Sequence, residues 1–410
     1  MRFGVNYTPS TGWFHSWLDF EPADVRRDFA AIASLGVDHV RVLPLWPLIQ
    51  PNRGLIRPQG LRDVVTVVDI AAEFGLDVNI DALQGHLSSF DFVPSWLESW
   101  HRRNMFTDPE VVGSIADYVR ALAAAVADRP NLLGVTLGNE VNQFAAAPHP
   151  APHPVTPGGG DDWLRRLVAA ARSAVRENTL VTHAMYDAAW YDDTQPFGPQ
   201  HAVDHGDATV VHSWVFNGAA QAHGGLGAGS VRHAEYLTRL AAAWHTDAAR
   251  PVWLQEVGAP TNVVDDRDTP DFLAATIRNV ARVEGLSGIT WWCSHDVSRD
   301  LLDFPALEYD LGLFTADGKL KPTGQRFADT VRELRAGAVA PEPVTEALVL
   351  DDTVAGHRAA ASPSGAFSRA WLAATPGNGP GPQIVLASKA DDKALLAARG
   401  IRTLRTAPTA

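Results

Sequence analysis

The chain has 410 residues, 46% of them hydrophobic and 20% charged, which is enough apolar material for one large domain and a small one. Its net charge of −13 argues against nucleic acid or an anionic membrane as a partner. The one cysteine, Cys293, excludes an intrachain disulfide and a cysteine-rich metal site. No secretory leader pattern and no run of 18 apolar residues occurs, so we expect a cytoplasmic protein without a membrane partner.

Strand-like and helix-like segments alternate along residues 1–335. Apolar runs of four to eight residues indicate buried strands, and a spacing of three to four residues between apolar positions indicates a helix. The predicted strands are 2–6, 37–43, 76–83, 132–137, 180–185, 208–212, 251–255 and 286–293. The predicted helices are 22–34, 61–74, 109–127, 163–177, 231–245, 270–284 and 323–334, whereas 188–204 has two prolines and little periodicity.

This alternation predicts an α/β fold of the (β/α)8 TIM-barrel type, with the functional site at the carboxyl ends of the strands. A doubly wound open sheet would require a glycine-rich phosphate turn after the first strand, and residues 6–12 do not form one. We therefore assign a catalytic barrel to 1–335, a linker to 336–346 and a small α/β or mixed domain to 347–410. In that last part, 347–350, 382–387 and 401–404 read as strands and 391–398 as a helix.

Two glutamates end buried strands on opposite sides of the predicted barrel. Glu140 follows the fourth strand, directly after Asn139, and Glu256 ends the seventh. Retaining glycosidases use two carboxyl groups about 5–5.5 Å apart, and strands four and seven face one another across a barrel. The pair therefore predicts hydrolysis of a glycosidic bond.

Other polar and aromatic residues follow the remaining strands. This set consists of Arg41, Asp81, His86, Tyr186, His212, Trp214, Trp291, Trp292, His295 and Asp296. Alone, Arg41 could be a partner of Asp81 within the barrel, and His86 and His212 could be core histidines. His149 and His153, in the Pro/His/Gly-rich segment 145–160 after Glu140, are expected to belong to a flexible rim loop rather than to a metal site.

With Arg41, His212 and a tryptophan on the eighth strand, the two glutamates resemble clan A glycoside hydrolases, and family 5 in particular. The resemblance covers residues 1–335. It implies that Glu140 is the acid/base, that Glu256 is the nucleophile and that Asn139 contacts the sugar 2-hydroxyl. The family usually has a tyrosine at the position of Trp214, hydrogen-bonded to the nucleophile, and Tyr186 could stand in for it.

The eighth-strand residues leave two alternatives open. Side chains alternate along a strand, so one of Trp291 and Trp292 should face the barrel interior and the other the helices. We favour Trp291 as the sugar platform. Asp296 is expected either to contact sugar hydroxyls or to cap a loop.

Residues 3–10, 46–52 and 84–91 further resemble bacterial β-mannosidases of family 5. This implies exo action on a short β-mannoside, such as mannosyl-β-1,4-N-acetylglucosamine, with no cofactor and no metal. The alternatives are an endo-β-1,4-mannanase, a β-glucosidase or glucanase of the same clan, and a non-catalytic carbohydrate-binding barrel. A metal-dependent amidohydrolase would require a His-x-His pair after the first strand, and residues 6–9 contain no histidine. The expected partner is a small oligosaccharide, and homo-oligomerisation is left open.

Overall fold

The computed structural model describes residues 1–337 and 339–407, in which eight parallel strands form one sheet. Its strands are β1 Arg2–Asn6, β2 His39–Val42, β3 Asp77–Gln84, β4 Leu132–Asn139, β5 Leu180–Thr182, β6 Thr209–Ser213, β7 Val252–Val257 and β8 Leu286–Trp291. Their order in the sheet is β5-β4-β3-β2-β1-β8-β7-β6. The predicted (β/α)8 barrel is confirmed.

The barrel is nearly closed between β5 and β6. There the backbone N–H of Asp207 donates to the oxygen of Val181 at 2.9 Å, just before β6 begins. The strand β5 is short, because residues 183–185, which were predicted to extend it, have no regular structure. The two ends of the sheet therefore meet where the sequence pattern is weakest.

Helices cover the outside of the barrel, and many begin at a proline, which has no N–H to leave unsatisfied. In the helix that begins at Pro109, for example, Asp108 accepts hydrogen bonds from the N–H groups of Glu110 and Val111. The barrel helices are α1 Pro22–Ser34, α2 Trp46–Ile49, α3 Pro58–Glu73, α4 Pro109–Val126, α5 Pro157–Arg172, α6 Ala188–Tyr191, α7 Pro199–Asp204, α8 Ala219–His223, α9 Ala228–Val231, α10 His233–Trp244, α11 Thr269–Val280 and α12 Pro322–Arg335.

Below the carboxyl ends of the strands, the barrel interior holds a layer of hydrogen-bonded polar side chains. Thr136 Oγ1 on β4 accepts from Asn79 Nδ2 at 2.9 Å and from Gln255 Nε2 at 3.0 Å. It also lies 3.0 Å from Thr182 Oγ1 on β5. Because buried polar groups are costly unless paired, this layer fixes β3, β4, β5 and β7 against one another beneath the site.

The C-terminal part adds a parallel sheet of order β10-β9-β11. Its elements are β9 Glu346–Leu350, α13 His357–Ala361, α14 Ala366–Ala374, β10 Gln383–Leu386, α15 Lys393–Ala398 and β11 Thr403–Thr406. The prediction missed α13, which has only five residues, and α14, which lies within residues 362–382, a segment rich in Gly, Pro and Ser. Ala338, in the predicted linker, and residues 408–410 lie outside the described residues, and the predicted domain boundaries stay predictions. Among the described residues, no helix could cross a membrane.

Candidate active site

Glu140 lies where β4 turns sharply at the rim of the barrel. Its backbone adopts the left-handed conformation, with φ 49° and ψ 34°, and a 3-10 turn, Val141–Ala145, follows at once. Non-glycine residues rarely adopt this conformation, which occurs often at functional sites. The turn brings Gln143 back to Glu140, so Gln143 Nε2 donates to Glu140 Oε2 at 2.7 Å.

Glu256, at the end of β7, accepts hydrogen bonds from two side chains. Arg41 Nη1 donates to Glu256 Oε1 at 2.5 Å, and Trp214 Nε1 donates to Oε2 at 3.3 Å. Trp214 also stacks on Phe216, with ring centroids 5.1 Å apart. Both donors hold the carboxylate of Glu256 in place, and Trp214 rather than Tyr186 donates where the family usually has a tyrosine.

Arg41 is fully buried at the centre of the site. Besides Glu256, it donates to Asn6 Oδ1 at 3.0 Å and to Asn139 Oδ1 at 2.8 Å, and it forms an ion pair with Asp81. Burial raises the pKa of Asp81 to about 6, although the Arg41 charge acts in the opposite direction. Arg41 is thus both the partner of Asp81 and a contact of Glu256.

His212 lies between the two glutamates. Its Nδ1 is 2.8 Å from Glu140 Oε1 and 3.4 Å from Glu256 Oε2. One ligand atom from each of these residues lies within 4.8 Å of the others. Burial lowers the pKa of His212, but the two carboxylates raise it above its ordinary value. Burial raises the pKa of Glu140, but the hydrogen bond and charge of His212 bring it below its ordinary value.

The same cluster could hold a metal ion by its donor types. The Arg41 guanidinium opposes this, because it already places a positive charge 2.5 Å from Glu256 Oε1. Trp214 occupies the other oxygen of that carboxylate. The residues present therefore fit a pair of carboxyl groups held by donors better than a cation site.

A cavity of about 260 Å³ is lined by two of the predicted binding residues, His86 and Tyr186. It is also lined by Gln143, which donates to Glu140. His86 Nδ1 is 3.3 Å from Asp91 Oδ1, and Asp91 Oδ2 is 3.1 Å from His149 Nε2. Asp91 thereby joins the short hairpin after β3 (His86–Leu87 and Phe90–Asp91) to the Pro/His-rich segment.

The Pro/His-rich segment is held more firmly than the sequence suggested. His153 Nε2 is 2.9 Å from Glu98 Oε1, and its Nδ1 accepts from the N–H of Met105 at 3.1 Å. His149 and His153 thus each face a carboxylate of their own. They do not converge on one point, in agreement with the rim-loop interpretation.

The prediction that Trp291 is the sugar platform is wrong. Trp291 is fully buried, with its ring 6.3 Å from that of Phe327 on α12, so it faces the surrounding helices. Trp292 has the opposite orientation, with its ring 6.5 Å from that of Trp214 beside Glu256. We favoured Trp291 facing the barrel interior, whereas in the structure Trp292 faces the site and Trp291 faces the helices. The peptide bond between Trp292 and Cys293 is cis.

Asp296 caps a loop. Its Oδ1 accepts hydrogen bonds from Lys321 Nζ and from the N–H of Gly312, both at 2.8 Å. Burial raises the pKa of Asp296 to about 6, although the Lys321 charge lowers it. These contacts anchor the loop after β8, which favours the loop-capping alternative for Asp296 over contact with sugar hydroxyls.

Four residues of the site were not predicted: Asn6, Gln143, Asp187 and Glu308. Burial raises the pKa of Asp187 to about 7, and the nearby charge of Glu140 adds to this. Burial also raises the pKa of Glu308 to about 7, with Glu256 contributing to the rise. Gln143 and Asp187 each lie a few residues after a predicted strand, and this position was the only feature of the sequence that could have identified them as site residues. Glu308 lies in the long segment after β8, where the sequence offered no such feature.

No family model and no curated protein matches the chain. The GH5_18 structure from Streptomyces cattleya, a Glu-to-Ala variant in complex with Manβ1-4GlcNAc, is 52% identical with a TM-score of 0.96, covering 99% of this chain and 98% of that one. The corresponding Bifidobacterium longum subsp. longum structure, again with Manβ1-4GlcNAc, is 43% identical with a TM-score of 0.95, covering 100% and 96%.

An exo-β-1,4-mannosidase from Opitutaceae bacterium strain TAV5 is 21% identical, with a TM-score of 0.76 over 94% of this chain and 69% of that one, and it shares the fold alone. The two closer structures decide the family, because their identity extends over nearly the whole of both chains. The chain is a glycoside hydrolase and belongs to family 5, subfamily GH5_18.

Proposed function

We propose that this protein is a retaining exo-β-mannosidase that hydrolyses short oligosaccharides of the Manβ1-4GlcNAc type. Glu256 is the nucleophile and Glu140 the acid/base. The observation that carries the proposal is the closeness of the two carboxylates, since one oxygen of each lies within 4.8 Å of the other beside His212. Such closeness fits double displacement, with carboxyl groups about 5–5.5 Å apart, better than inversion, which needs about 6.5–9.5 Å to admit a water molecule.

The different partners of the two glutamates support their different roles. The hydrogen bonds of Arg41 and Trp214 hold the Glu256 carboxylate in a fixed position, from which it can attack the anomeric carbon. Glu140 has no guanidinium partner, and it shares a short contact with His212. An acid that gives up its proton and later takes one from water needs such a neighbour rather than a fixed cation.

The His212–Glu140 contact also supplies the proton. At 2.8 Å, His212 Nδ1 and Glu140 Oε1 hold one proton between them. A bound sugar excludes water and so disfavours the charged pair relative to the neutral one. Substrate binding therefore moves the proton to Glu140, from which it passes to the oxygen of the leaving group. In the second step, Glu140 accepts a proton from water.

The binding roles follow the same geometry. Asn139, whose amide is fixed by Arg41 and by the backbone oxygen of His86, is the contact for the sugar 2-hydroxyl. Trp292 is the aromatic platform, since sugar C–H faces pack on indole rings. His86 and Tyr186 line the neighbouring cavity, where the leaving-group sugar would lie. The GH5_18 structures with Manβ1-4GlcNAc support this substrate class. A cytoplasmic location stays a prediction.

The test combines substrate selectivity with stereochemistry. The purified enzyme should release mannose from Manβ1-4GlcNAc and from p-nitrophenyl β-mannoside, and NMR should show the β-anomer first. Internal fragments released from polymeric mannan faster than mannose would contradict exo action. A first product of α configuration would contradict the mechanism, and a preference for β-glucosides would contradict the substrate.

Variants of the two glutamates separate their roles. We expect Glu256→Ala to lose several powers of ten in kcat and to give an α-mannosyl azide when azide is added, because azide fills the space of the nucleophile. We expect Glu140→Ala to retain activity on a dinitrophenyl mannoside, whose leaving group needs no acid, and to give a β-azide. Glu110→Gln, at an exposed surface position, is the control. Sugar binding without turnover by the unmodified chain would favour the carbohydrate-binding alternative, and unchanged kcat in Glu256→Ala would contradict the role of Glu256. Loss of activity on chelation would favour a metal enzyme.

A further inference from the structure

A second cavity, of about 380 Å³, lies between the barrel and the C-terminal sheet. It is lined by Val252, the first residue of β7, and by Gly285, just before β8. It therefore lies at the amino ends of the strands, whereas Glu140 and Glu256 lie at the carboxyl ends. Along β6, roughly 10 Å of strand separates Thr209 from His212. We call it the arginine cavity, because Arg239, Arg250 and Arg399 line it.

Arg250 makes its hydrogen bonds to neutral oxygens. Its Nε donates to Thr209 Oγ1 at 2.8 Å, its Nη1 to the oxygen of Gly206 at 2.9 Å and its Nη2 to the oxygen of His205 at 2.7 Å. These contacts orient the guanidinium but do not neutralise it. Burial lowers the pKa of Arg250, and the negative charges of Asp204, Asp207 and Asp247, which do not contact the guanidinium through these hydrogen bonds, act in the opposite direction.

Arg399 approaches the same cavity from the C-terminal sheet. Its Nη2 donates to Gln383 Oε1 at 3.1 Å and to the oxygen of Ile384 at 3.0 Å, and both acceptors are again neutral. Burial lowers the pKa of Arg399 to about 10, and the charge of Arg239 adds to this. Two guanidinium groups from different parts of the chain thus repel one another across the cavity.

Arg239 supplies the unsatisfied donor. It is 5% exposed, and its Nη2 has no hydrogen-bond partner among the described residues. Its Nε donates to Glu235 at 3.2 Å, but Glu235 also accepts from Arg232 at 2.8 Å. One carboxylate therefore serves two arginines. A buried donor without a partner is costly and calls for an acceptor.

The remaining charged or titratable groups around the cavity do not balance the arginines. Glu284 lines it but is exposed. His245 also lines it, and burial, followed by the charges of Arg250 and Arg399, lowers its pKa to about 3, so it is neutral. Lys389 donates to the oxygen of His245 at 3.0 Å and adds a further positive charge nearby.

We propose that the arginine cavity binds a phosphoryl group, as free phosphate or on a phosphorylated sugar, and that this ligand joins the barrel to the C-terminal sheet. Arginine presents its donors in a planar fork that matches phosphate oxygens in pairs. The cavity volume is within the roughly 300–1,000 Å³ range of small-molecule sites and exceeds what a bare phosphate needs. Arg239 and Arg250 hold the ligand from the barrel side and Arg399 from the C-terminal side.

The test is isothermal titration calorimetry on the full chain in a zwitterionic buffer, with sodium chloride holding the ionic strength constant. The titrants are inorganic phosphate, mannose 6-phosphate and, as the control for the active site, mannose. We expect one saturable site per chain for a phosphorylated titrant, and an increase in Tm of about 2 °C or more at saturation. Mannose 6-phosphate binding at least ten times tighter than phosphate would identify a sugar phosphate as the ligand, and equal affinities would identify phosphate itself.

Matched variants tie the binding to the cavity. We expect Arg399→Gln to weaken binding about tenfold or more, since it removes a charge-assisted donor. Glu284→Gln should strengthen binding, because it removes a like charge from the cavity wall. Arg405→Gln, in the exposed pair with Glu346, should bind as the unmodified chain does.

The wild-type isotherm alone can overturn the proposal, so it does not depend on the folding of any variant. The proposal would be refuted if neither phosphate nor mannose 6-phosphate showed saturable binding at concentrations up to about 10 mM. Equal affinity for mannose and mannose 6-phosphate would also refute it, as would equal affinity in the unmodified chain and in folded Arg399→Gln. None of these results bears on Glu140 or Glu256, so the proposed glycosidase activity is tested separately.

Discussion

At the residue scale, the donors around Glu256 distinguish this site from the usual family pattern. Trp214 replaces a tyrosine and donates its indole N–H to Glu256 Oε2 at 3.3 Å. An indole N–H donates only, whereas a phenol can also accept. Trp214 can therefore stabilise the carboxylate but can accept nothing from the sugar in return. Phe216, stacked on it, holds the ring in this orientation.

Trp214→Phe tests the importance of that hydrogen bond. The variant keeps an aromatic ring and loses the donor, so we expect kcat/KM to fall about tenfold or more, as for a hydrogen bond to a charged group. Steady-state kinetics on p-nitrophenyl β-mannoside measure this. Trp291→Phe is the control: that ring packs against Phe327, so we expect a lower Tm and an unchanged kcat/KM. Equal kinetic losses in both variants would contradict the assignment.

His212 should set the pH dependence of the acid step. Burial raises the pKa of Glu140, and the hydrogen bond and charge of His212 lower it. In the unmodified enzyme the alkaline limb of kcat/KM reports loss of the proton that His212 and Glu140 share, and the two carboxylates raise the pKa of His212 above its ordinary value. In His212→Phe the limb reports Glu140 alone, so it should shift to lower pH, because a carboxyl group loses its proton at lower pH than an imidazole whose pKa is raised.

The measurement is a pH profile of kcat/KM for the unmodified enzyme and for His212→Phe, with the exposed His101→Phe as a matched control. The absolute rate of His212→Phe should be at least about tenfold lower, because a buried charge-assisted contact is lost. An alkaline limb that stays in place or shifts to higher pH would show that His212 does not carry the proton that passes to Glu140.

At the element scale, the close approach of β3 and β4 positions Asn139 and Glu140. Gly138 pairs with Leu83, and a Cβ on Gly138 would lie 2.6 Å from the Leu83 oxygen and 2.8 Å from the Leu83 Cβ. The oxygen belongs to the backbone, so relief would require the two strands to separate. The residues that follow, Asn139 and Glu140, would move with β4.

We therefore expect Gly138→Ala to lower kcat/KM by about 100-fold, the usual effect of a displacement of about 1 Å at a catalytic group, and also to lower Tm. Gly113→Ala is the matched control. A Cβ on Gly113 meets nothing within 4 Å, and the residue lies inside α4. It should increase the free energy of unfolding by about 0.5–1 kcal/mol with unchanged kinetics. Full activity in Gly138→Ala would show that the two strands can separate without cost to the site.

At the scale of the whole molecule, a buried cluster joins the barrel to the C-terminal part. Glu235 on α10 is fully buried and accepts from Arg232, from Arg239 and from the N–H of Gly381. Tyr236, the next residue, donates to the oxygen of Ala361 at 2.7 Å. The helix α10 therefore contacts both parts of the chain.

Glu235→Ala should destabilise the protein strongly, because it leaves two buried arginines without their carboxylate. We expect a loss of about 3–5 kcal/mol in the free energy of unfolding, measured by urea denaturation. The exposed pair of Arg26 and Glu73 is the comparison, and Glu73→Gln should leave the free energy of unfolding nearly unchanged. Similar small losses in both variants would mean that the interface does not depend on Glu235.

The sequence by itself determined the barrel, because eight apolar runs alternate with amphipathic helices and each pattern has its own period. It also brought Glu140, Glu256, Arg41 and His212 to one end of the barrel, because the carboxyl ends of parallel strands meet there. Their catalytic roles stay predictions until the variants are measured.

Only the tertiary structure decided the rest. Side chains alternate along a strand with a period of two residues, but this alternation does not determine which face of β8 points inward. The contact of Trp291 with Phe327 on α12 decides it, because it places Trp291 on the helix side. The partners Lys321 for Asp296 and Trp214 for Glu256 are distant in sequence, and no local pattern encodes them. The arginine cavity likewise exists only because β9–β11 fold back against the amino ends of the barrel strands, which brings Arg399 to Arg239 and Arg250.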